Sequence, residues 1–482
     1  MLPYRAGRAP IVSGLSLKTI AIAGLLLLNS ACSEPGQIVG KTRPDLPLPP
    51  GINVGFNHRD RARYRSPLQE QWRNGDNLEQ QLIGAIDRAD QECLVAVQEL
   101  SLPDVAKALI RAQKRGVTVQ VVLENNYRTP WSSQHEAGLT AHARRRISRL
   151  KRLADTNEDG TLSDAERFDG DAIALLEHAG IPLVDDTDDG SKGSGLMHHK
   201  FVVIDRRTVL TGSANFTSSG IHGDGGAPRT RGNVNHLLSI ESPELAHVFA
   251  EEFARMWGDG PGGQPDSRFG RSKGAHPPQR VQVGDVAITV LFAPHSKRHP
   301  HHGLQHIALQ LGQAKRSIDM ALFVFSAQEL ADLLQEKHQQ GVQVRLLADP
   351  GFASRTFSEV LDLLGVAMPD RNCMLETGNQ PFQTPLRGVG TPRLARGDKL
   401  HHKFAVIDHK TVITGSFNWS PSAAHANDET LLVIDSPEVA AHFTREMNRL
   451  WRGAELGITP RMQRRLERRR AQCGSGTLRS TR

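Results

Sequence analysis

His198-His-Lys-Phe-Val-Val-Ile-Asp205, closed by Gly212-Ser-Ala-Asn215, occurs again as His401-His-Lys-Phe-Ala-Val-Ile-Asp408, closed by Gly415-Ser-Phe-Asn418. Both copies fit H-x-K-x4-D-x6-G-S-x-N with the same internal spacing. Each reads as strand, turn, strand: an apolar β-branched run, a polar break, a second run, then a Gly-Ser turn. Side chains alternate along a strand, so His198 and Lys200 share one face while His199 points into packing. The same alternation separates His401 and Lys403 from His402. A single H-x-K occurs in ordinary hairpins whose histidines are satisfied core residues. Six residue types repeated in register do not arise that way.

The duplication runs well beyond these stretches. Ile52–Phe56 has a partner in Ile288–Phe292, and the run Cys93–Val97 has one in Ile318–Leu322. Gly116–Glu124 matches Gly341–Asp349, and Asn233–Glu244 matches Asn427–Glu438, both ending Ser-Pro-Glu. Strands alternating with amphipathic helices predict an α/β chain of two halves, 52–258 and 284–452, each a mixed β-sheet flanked by helices. Residues 259–283, rich in Gly, Pro, Ser and Arg, read as a linker.

The paired motifs resemble those of the phospholipase D superfamily, and the resemblance spans roughly residues 52 to 452. It implies two pseudo-twofold-related halves with one active site at their junction. The residue types suit phosphodiester chemistry. A phosphodiester is an anion, so lysines and neutral donors around its oxygens stabilise the charge added in the transition state. One neutral imidazole attacks phosphorus while a second, protonated, delivers a proton to the leaving alkoxide. Such a route passes through a covalent phosphohistidine and requires no metal or other cofactor for catalysis. The candidate catalytic set is His198, Lys200, Asp205, His401, Lys403, Asp408 and Glu429. Within it Asp205 and Asp408 read as braces for strand ends. Ser213, Asn215, Ser416 and Asn418 read as phosphate-pocket donors, residues that also favour turns.

The halves differ where an acidic residue follows Gly-Ser-x-Asn in the related enzymes. The second half has Glu429 there and the first has Asn235. A carboxylate partner favours the protonated imidazole. The expectation is therefore that His401, backed by Glu429, is the general acid, and His198, with a neutral partner, the nucleophile. Asp224 could still supply a carboxylate to the first half.

A second motif lies in the first half, inside an insertion at about 125–179. Residues 155–166 fit an EF-hand calcium loop, with Asp155, Asn157, Asp159, Ser163 and Glu166 at ligand positions one, three, five, nine and twelve. Thr161 stands at position seven and Gly160 at the sharp-turn position six. Helices are expected at Ala141–Leu153 before it and Asp164–His178 after it. Calcium is expected here in a structural or regulatory role, because the loop stands apart from the paired motifs.

Residues 1–31 read as an export signal: Arg5, Arg8 and Lys18 precede the apolar Ile20–Leu28, too short to span a membrane. Small residues before Cys32 resemble a bacterial lipoprotein signal with Cys32 lipidated, although Asn29 departs from the usual Leu. The expected locations are periplasmic or outer-membrane-associated, or secreted, with the Pro-rich 32–51 as a tether. Beyond Cys32 only Cys93, Cys373 and Cys473 remain, so at most one disulfide forms and size supplies the core.

The formal charge is +7, but three cations lie in residues 1–31, and nine arginines against two glutamates follow from Arg452. The intervening body is slightly acidic, which excludes a broadly basic nucleic-acid platform, and scarce aromatics exclude a base-stacking stripe. The basic tail, 453–482, is expected to be solvated. The leading functional reading is a phospholipase D-like hydrolase of phospholipids at a membrane surface. A metal-independent nuclease of the same superfamily, with nucleic acid as substrate, is the alternative. A chain carrying both half-sites needs no second copy, so a monomer is expected.

Overall fold

In this computed structural model, residues 45–67, 70–135, 137–187, 195–223 and 229–478 are described. The expected signal at 1–31, Cys32 and Asp224 lie outside the described residues.

The first half builds a seven-stranded sheet from β1 (Ile52–Phe56), β2 (Glu92–Val97), β3 (Thr118–Leu123), β4 (Leu183–Asp185), β5 (Lys200–Ile204), β6 (Thr208–Gly212) and β7 (His236–Glu241). Its spatial order is β1-β7-β6-β5-β2-β3-β4. The second half contributes β8 (Gln279–Val283), β9 (Val286–Ala293), β10 (Ser317–Leu322), β11 (Gln343–Ala348), β12 (Val389–Thr391), β13 (Lys403–Ile407), β14 (Thr411–Gly415), β15 (Glu429–Asp435) and β16 (Glu455–Leu456). These order as β8-β9-β15-β14-β13-β10-β11-β12-β16. Without the edge strands β8 and β16, the two orders match strand for strand. In both, the strand after the first helix pairs in parallel with the next and antiparallel to the motif strand, with Ala96 opposite Phe201 and Ala321 opposite Phe404.

The motif hairpins turn through left-handed residues, Asp205 (φ 50°) with Arg206 (φ 47°), and Asp408 (φ 51°) with His409 (φ 56°). Each hairpin closes through a three-residue loop, between paired Ile204 and Thr208 and between paired Ile407 and Thr411, and aspartate tolerates the left-handed region better than most side chains. The signature glycine answers to a close approach: a Cβ at Gly415 (φ 128°) would meet the Thr430 carbonyl oxygen at 2.2 Å.

Alternation sorts the core. Phe201 and Val203 face inward with Phe404, Val406, Leu238 and Leu432, while Val202 and Ile204 face the outer helices of the first half. The inner cluster is completed by Phe249 and Phe443, one from each of two helices placed alike in the halves, Pro243–Trp257 and Pro437–Trp451. Each starts Ser-Pro-Glu: Ser242 and Ser436 cap by accepting the amides of Leu245 and Val439, and proline sits where no amide partner is needed. Burying a phenylalanine here is worth about 2–3 kcal/mol, and Phe404→Ala would cost about 3–5 kcal/mol through the cavity it leaves.

Two expectations need correction. The linker is not a bare connector: Phe269 is buried, β8 joins the second sheet, and Lys273 is buried in an ion-pair cluster. The basic tail is folded as well. Pro460–Cys473 is a helix that buries Met462 and Leu466, and Cys473 bonds to Cys373, while Cys93 remains a buried free thiol. Both escape a reading by composition because a few apolar or paired residues anchor otherwise polar segments.

Candidate active site

The junction between the halves is set by backbone. Met197 bridges Asp428 and Val234 bridges Leu400. The His198 amide donates to the Asp428 carbonyl at 2.9 Å, and the His401 amide to the Val234 carbonyl at 3.1 Å. Each histidine therefore lies along a strand end of the opposite half, and the next residue of that strand end comes under its ring. His198 Nδ1 lies 2.7 Å from Glu429 Oε2. His401 Nδ1 lies 3.0 Å from both Asn235 Oδ1 and the Ser213 carbonyl. The expected pairing of His401 with Glu429 is thus wrong: the partners cross between halves, and the carboxylate belongs to His198.

These partners are acceptors, so each Nδ1 carries a hydrogen and each Nε2 is left for chemistry. Asn235 is held in that orientation because its Nδ2 donates to the Gly220 carbonyl at 2.8 Å. Both histidines line a cleft of about 1390 Å3, together with Asn215 and Asn418. The signature serines do not reach it. Ser213 donates to Asn235 Oδ1 at 2.8 Å and Ser416 to Glu429 Oε2 at 2.6 Å, both fully buried. They correct the expectation of phosphate donors: the serines orient the groups that orient the histidines, and of the four only the asparagines line the cleft.

Lys200 and Lys403 are buried below the histidines, each donating at 2.7 Å to the carbonyl of the histidine two residues before it. Lys200 also reaches Gln98 Oε1 at 3.3 Å, whereas Lys403 lies 5.0 Å from the centre of the Phe323 ring. Burial lowers Lys200 to about 7, against the pull of Glu429, Glu99 and Glu124. Burial, with Lys200 close by, also holds Lys403 well below its ordinary value. Burial and the two lysines keep His198 and His401 well below the usual imidazole range. Burial pushes Glu429 up to about 7, partly opposed by Lys200 and the Ser416 hydroxyl. Two histidines on the cleft, with two buried lysines close enough to repel their protonated forms, make it a place for an anion.

Asp205 and Asp408 stand outside the cleft and do brace. Asp205 accepts the amides of Asp90, Gln91 and Glu92, and Asp408 those of Lys315, Arg316 and Ser317. His199 and His402 point away, as alternation requires, onto Glu252 and Glu446. Among the described residues, His199, Glu252 and Asp428 form the one trio of possible metal ligands within 4.8 Å of one another. The cation there is the Lys273 ammonium, 2.6 Å from Asp428 and paired with Glu252.

A family model described as "Cardiolipin synthase, PLD-like domain" matches residues 82–257 and again 307–451. The chain belongs to this family. Mitochondrial cardiolipin hydrolase of Mus musculus is 29% identical over 158 residues, 33% of this chain and 62% of that protein. Phospholipase D of Rickettsia bellii is 28% identical over 162 residues, 34% of this chain and 68% of that protein. The match thus spans about three fifths of the cardiolipin hydrolase. Phosphatidylserine synthase of Haemophilus influenzae shares the fold, with a TM-score of 0.53 at 13% identity over 86% of this chain and 89% of that one.

Within this family frame, sequence reasoning missed Gln98, Phe323 and Lys273. Gln98 and Phe323 directly follow the equivalent strands β2 and β10, a position that the internal alignment marks as equivalent. Lys273 had no signal beyond being a lysine in a Gly-rich stretch.

The inserted loop, 155–166, lies apart from the residues that line the cleft. Ala141–Ala154 and Asp164–Gly170 flank it, and the second expected helix breaks at Asp171 before resuming at Ala172–His178. Asp155 accepts the Gly160 amide at 2.9 Å, Asp159 the Thr161 amide at 2.8 Å, and Glu166 the Thr156 amide at 2.9 Å. Hydrogen bonds from Ser163 and Thr156 lower Glu166 to about 2. An all-oxygen set of carboxylates, amide, hydroxyl and the Thr161 carbonyl fits a hard cation such as calcium.

Proposed function

We propose that the protein is a phospholipase D-like phosphodiesterase that hydrolyses phospholipid phosphodiesters through a covalent phosphohistidine at His198. The observation that carries this reading is the crossed bracing, which leaves two Nε2 atoms on one cleft above two buried lysines. A bound phosphodiester supplies the negative charge that Lys200 and Lys403 lack inside the protein, and its presence raises both lysines and His401 toward their charged forms. His198 Nε2 attacks phosphorus, forming P–N as the P–O bond to the leaving alcohol breaks. The leaving oxygen takes the proton from His401 Nε2. Neutral His401 then removes a proton from water, whose oxygen attacks phosphorus, breaks P–N and restores both histidines.

His198 remains the nucleophile, but for a different reason than a neutral partner. Glu429 fixes its tautomer and stabilises the positive charge its ring gains on attack. His401, held by a neutral amide and a carbonyl, keeps less hold on its proton and suits the acid. Asn215 and Asn418 bind the phosphoryl oxygens. The two halves act as pseudo-twofold-related copies around this site in a single monomer. Asp155, Asn157, Asp159, Thr161, Ser163 and Glu166 would hold a calcium ion in the 155–166 loop, which would rigidify the insertion. An export signal at 1–31 with Cys32 as lipid anchor delivers the enzyme to a membrane surface.

Purified protein is offered phospholipid vesicles with a labelled phosphate, in parallel with DNA, and quenched in denaturing detergent at neutral pH. Phosphatidic acid release lost in His198→Ala, with acid-labile label on His198 in the wild type, is expected. Label on His401 would overturn the role assignment. Cleavage of DNA with lipid untouched would replace the lipid reading with the nuclease one.

A further inference from the structure

Glu429 orients His198, and the strand end that carries Glu429 is itself held from outside its own half. Asp428, one residue before it, gives its carbonyl to the His198 amide and buries its carboxylate. That carboxylate takes the Lys273 ammonium at 2.6 Å and the Gly270 amide at 2.9 Å, both from the segment that joins the halves. Thr430, one residue after Glu429, has its hydroxyl 2.8 Å from His199 Nδ1, and His199 Nε2 lies 3.3 Å from Glu252. Glu252 pairs with the same Lys273, so one lysine joins the contacts on both sides of Glu429. At the other strand end the residue equivalent to Asp428 is Val234, whose carbonyl takes the His401 amide but whose side chain cannot pair. Thr430 aligns with His236, which lies 2.7 Å from Thr414 and 3.0 Å from His402, both within the second half.

We propose that Lys273 and Asp428 are positioning residues for His198: through them the linker sets where Glu429 meets the ring. The proposal rests on the reading of His198 as nucleophile above. A buried ion cluster gains little net stability over apolar packing, but each charge must meet its partner, so the cluster fixes geometry. Here the fixed element is the strand end whose next side chain lies 2.7 Å from His198 Nδ1. Misplacement of a reacting group by about 1 Å costs about a hundredfold, so a small slip of this strand end reaches the chemistry. Neither Lys273 nor Asp428 lines the cleft, so neither meets substrate.

The test is a double-mutant cycle between Asp428→Ala and Glu429→Gln. Asp428→Ala cuts the tie and leaves Lys273 its pair with Glu252, so no buried charge is stranded. Turnover of bis(p-nitrophenyl) phosphate, a soluble phosphodiester that is neither lipid nor nucleic acid, is followed well below each variant's melting temperature. Asp428→Ala alone is expected to lower kcat about ten- to a hundredfold with KM within about twofold, and Asp428→Asn, which still accepts one donor, to lose less. With Glu429 already replaced by Gln, the same change should cost less than about threefold. Equal losses in both backgrounds, or a lowered melting temperature with kcat intact, would overturn the proposal. Proton NMR gives a readout that needs no turnover. The far-downfield Nδ1 proton of His198, identified by its loss in His198→Asn, should shift or broaden in Asp428→Ala. An unchanged resonance would overturn the positioning role. Wild type inert on the diester would remove the phosphodiesterase reading, and the resonance would then decide the positioning of His198 on its own.

Discussion

The two half-sites share a backbone plan and differ in what holds each catalytic-type side chain. In the first, His198 is held by a carboxylate and Lys200 by the Gln98 amide; in the second, His401 is held by the Asn235 amide and Lys403 lies near the Phe323 ring. Behind them, Glu252 is tied to the linker through Lys273, whereas Glu446 pairs with Arg449 one turn along its own helix. Duplication explains the likeness. The difference teaches that a symmetric frame can carry an asymmetric reaction by changing only the neighbours of its repeated residues.

The sharpest way to break the comparison is to remove its carboxylate. Glu429→Gln should lower kcat by about a hundred- to ten-thousandfold, as loss of an orienting carboxylate does elsewhere. Asn235→Ala should cost much less in the same steady-state assay; equal losses would mean the half-sites are not specialised. Next comes the clasp. Lys273→Met takes the shared cation from Asp428 and leaves Glu252 only its longer pair with Arg255, and should destabilise by about 3–5 kcal/mol in thermal or denaturant unfolding. Arg449→Met, whose side chain is less buried, should cost less.

A third test uses pH. Lys200 is lowered to about 7, so its charged form is lost as pH rises past that value. The kcat/KM profile, which reports the free enzyme, should fall on the alkaline side of about pH 7. Glu429 raises Lys200, so Glu429→Gln should move that limb to lower pH; movement upward would contradict the assignment. The same lysine sets a stability trend. Its folded value is below the unfolded one, so its burial penalty is full below about pH 7 and is relieved as pH rises toward the unfolded value. The smallest effect concerns the calcium-type loop 155–166, a motif that the segment between the equivalent strands of the second half lacks. Millimolar calcium should raise the melting temperature by a few degrees, and Glu166→Gln should abolish the rise.

Much of this was legible in local pattern. Alternation correctly turned His199 and His402 away from Lys200 and Lys403, and the internal repeat anticipated the matching strand orders. Asp205 and Asp408 were readable as braces because a residue beyond the strand's active face has no access to the cleft. The crossed histidine partners were not readable. Alignment places Glu429 after its own motif, but which histidine it meets depends on how strand ends from two halves interleave, a contact over more than two hundred residues that no periodicity encodes. The serines were misplaced for a related reason: a turn motif fixes the backbone and leaves open whether the hydroxyl faces a ligand or a neighbouring side chain. The folded tail was hidden because Met462 and Leu466 are sparse among arginines.

The crossed bracing has a consequence for how the molecule is made. A growing chain displays the whole first motif long before Glu429 is synthesised, yet until then His198 has no partner to set its ring. Neither half alone holds an oriented histidine, so competence arrives at one moment, when the strand ends of both halves interlock. The fold thereby withholds an oriented His198 until Glu429 has been made and docked, and a chain cut short before Glu429 lacks that brace.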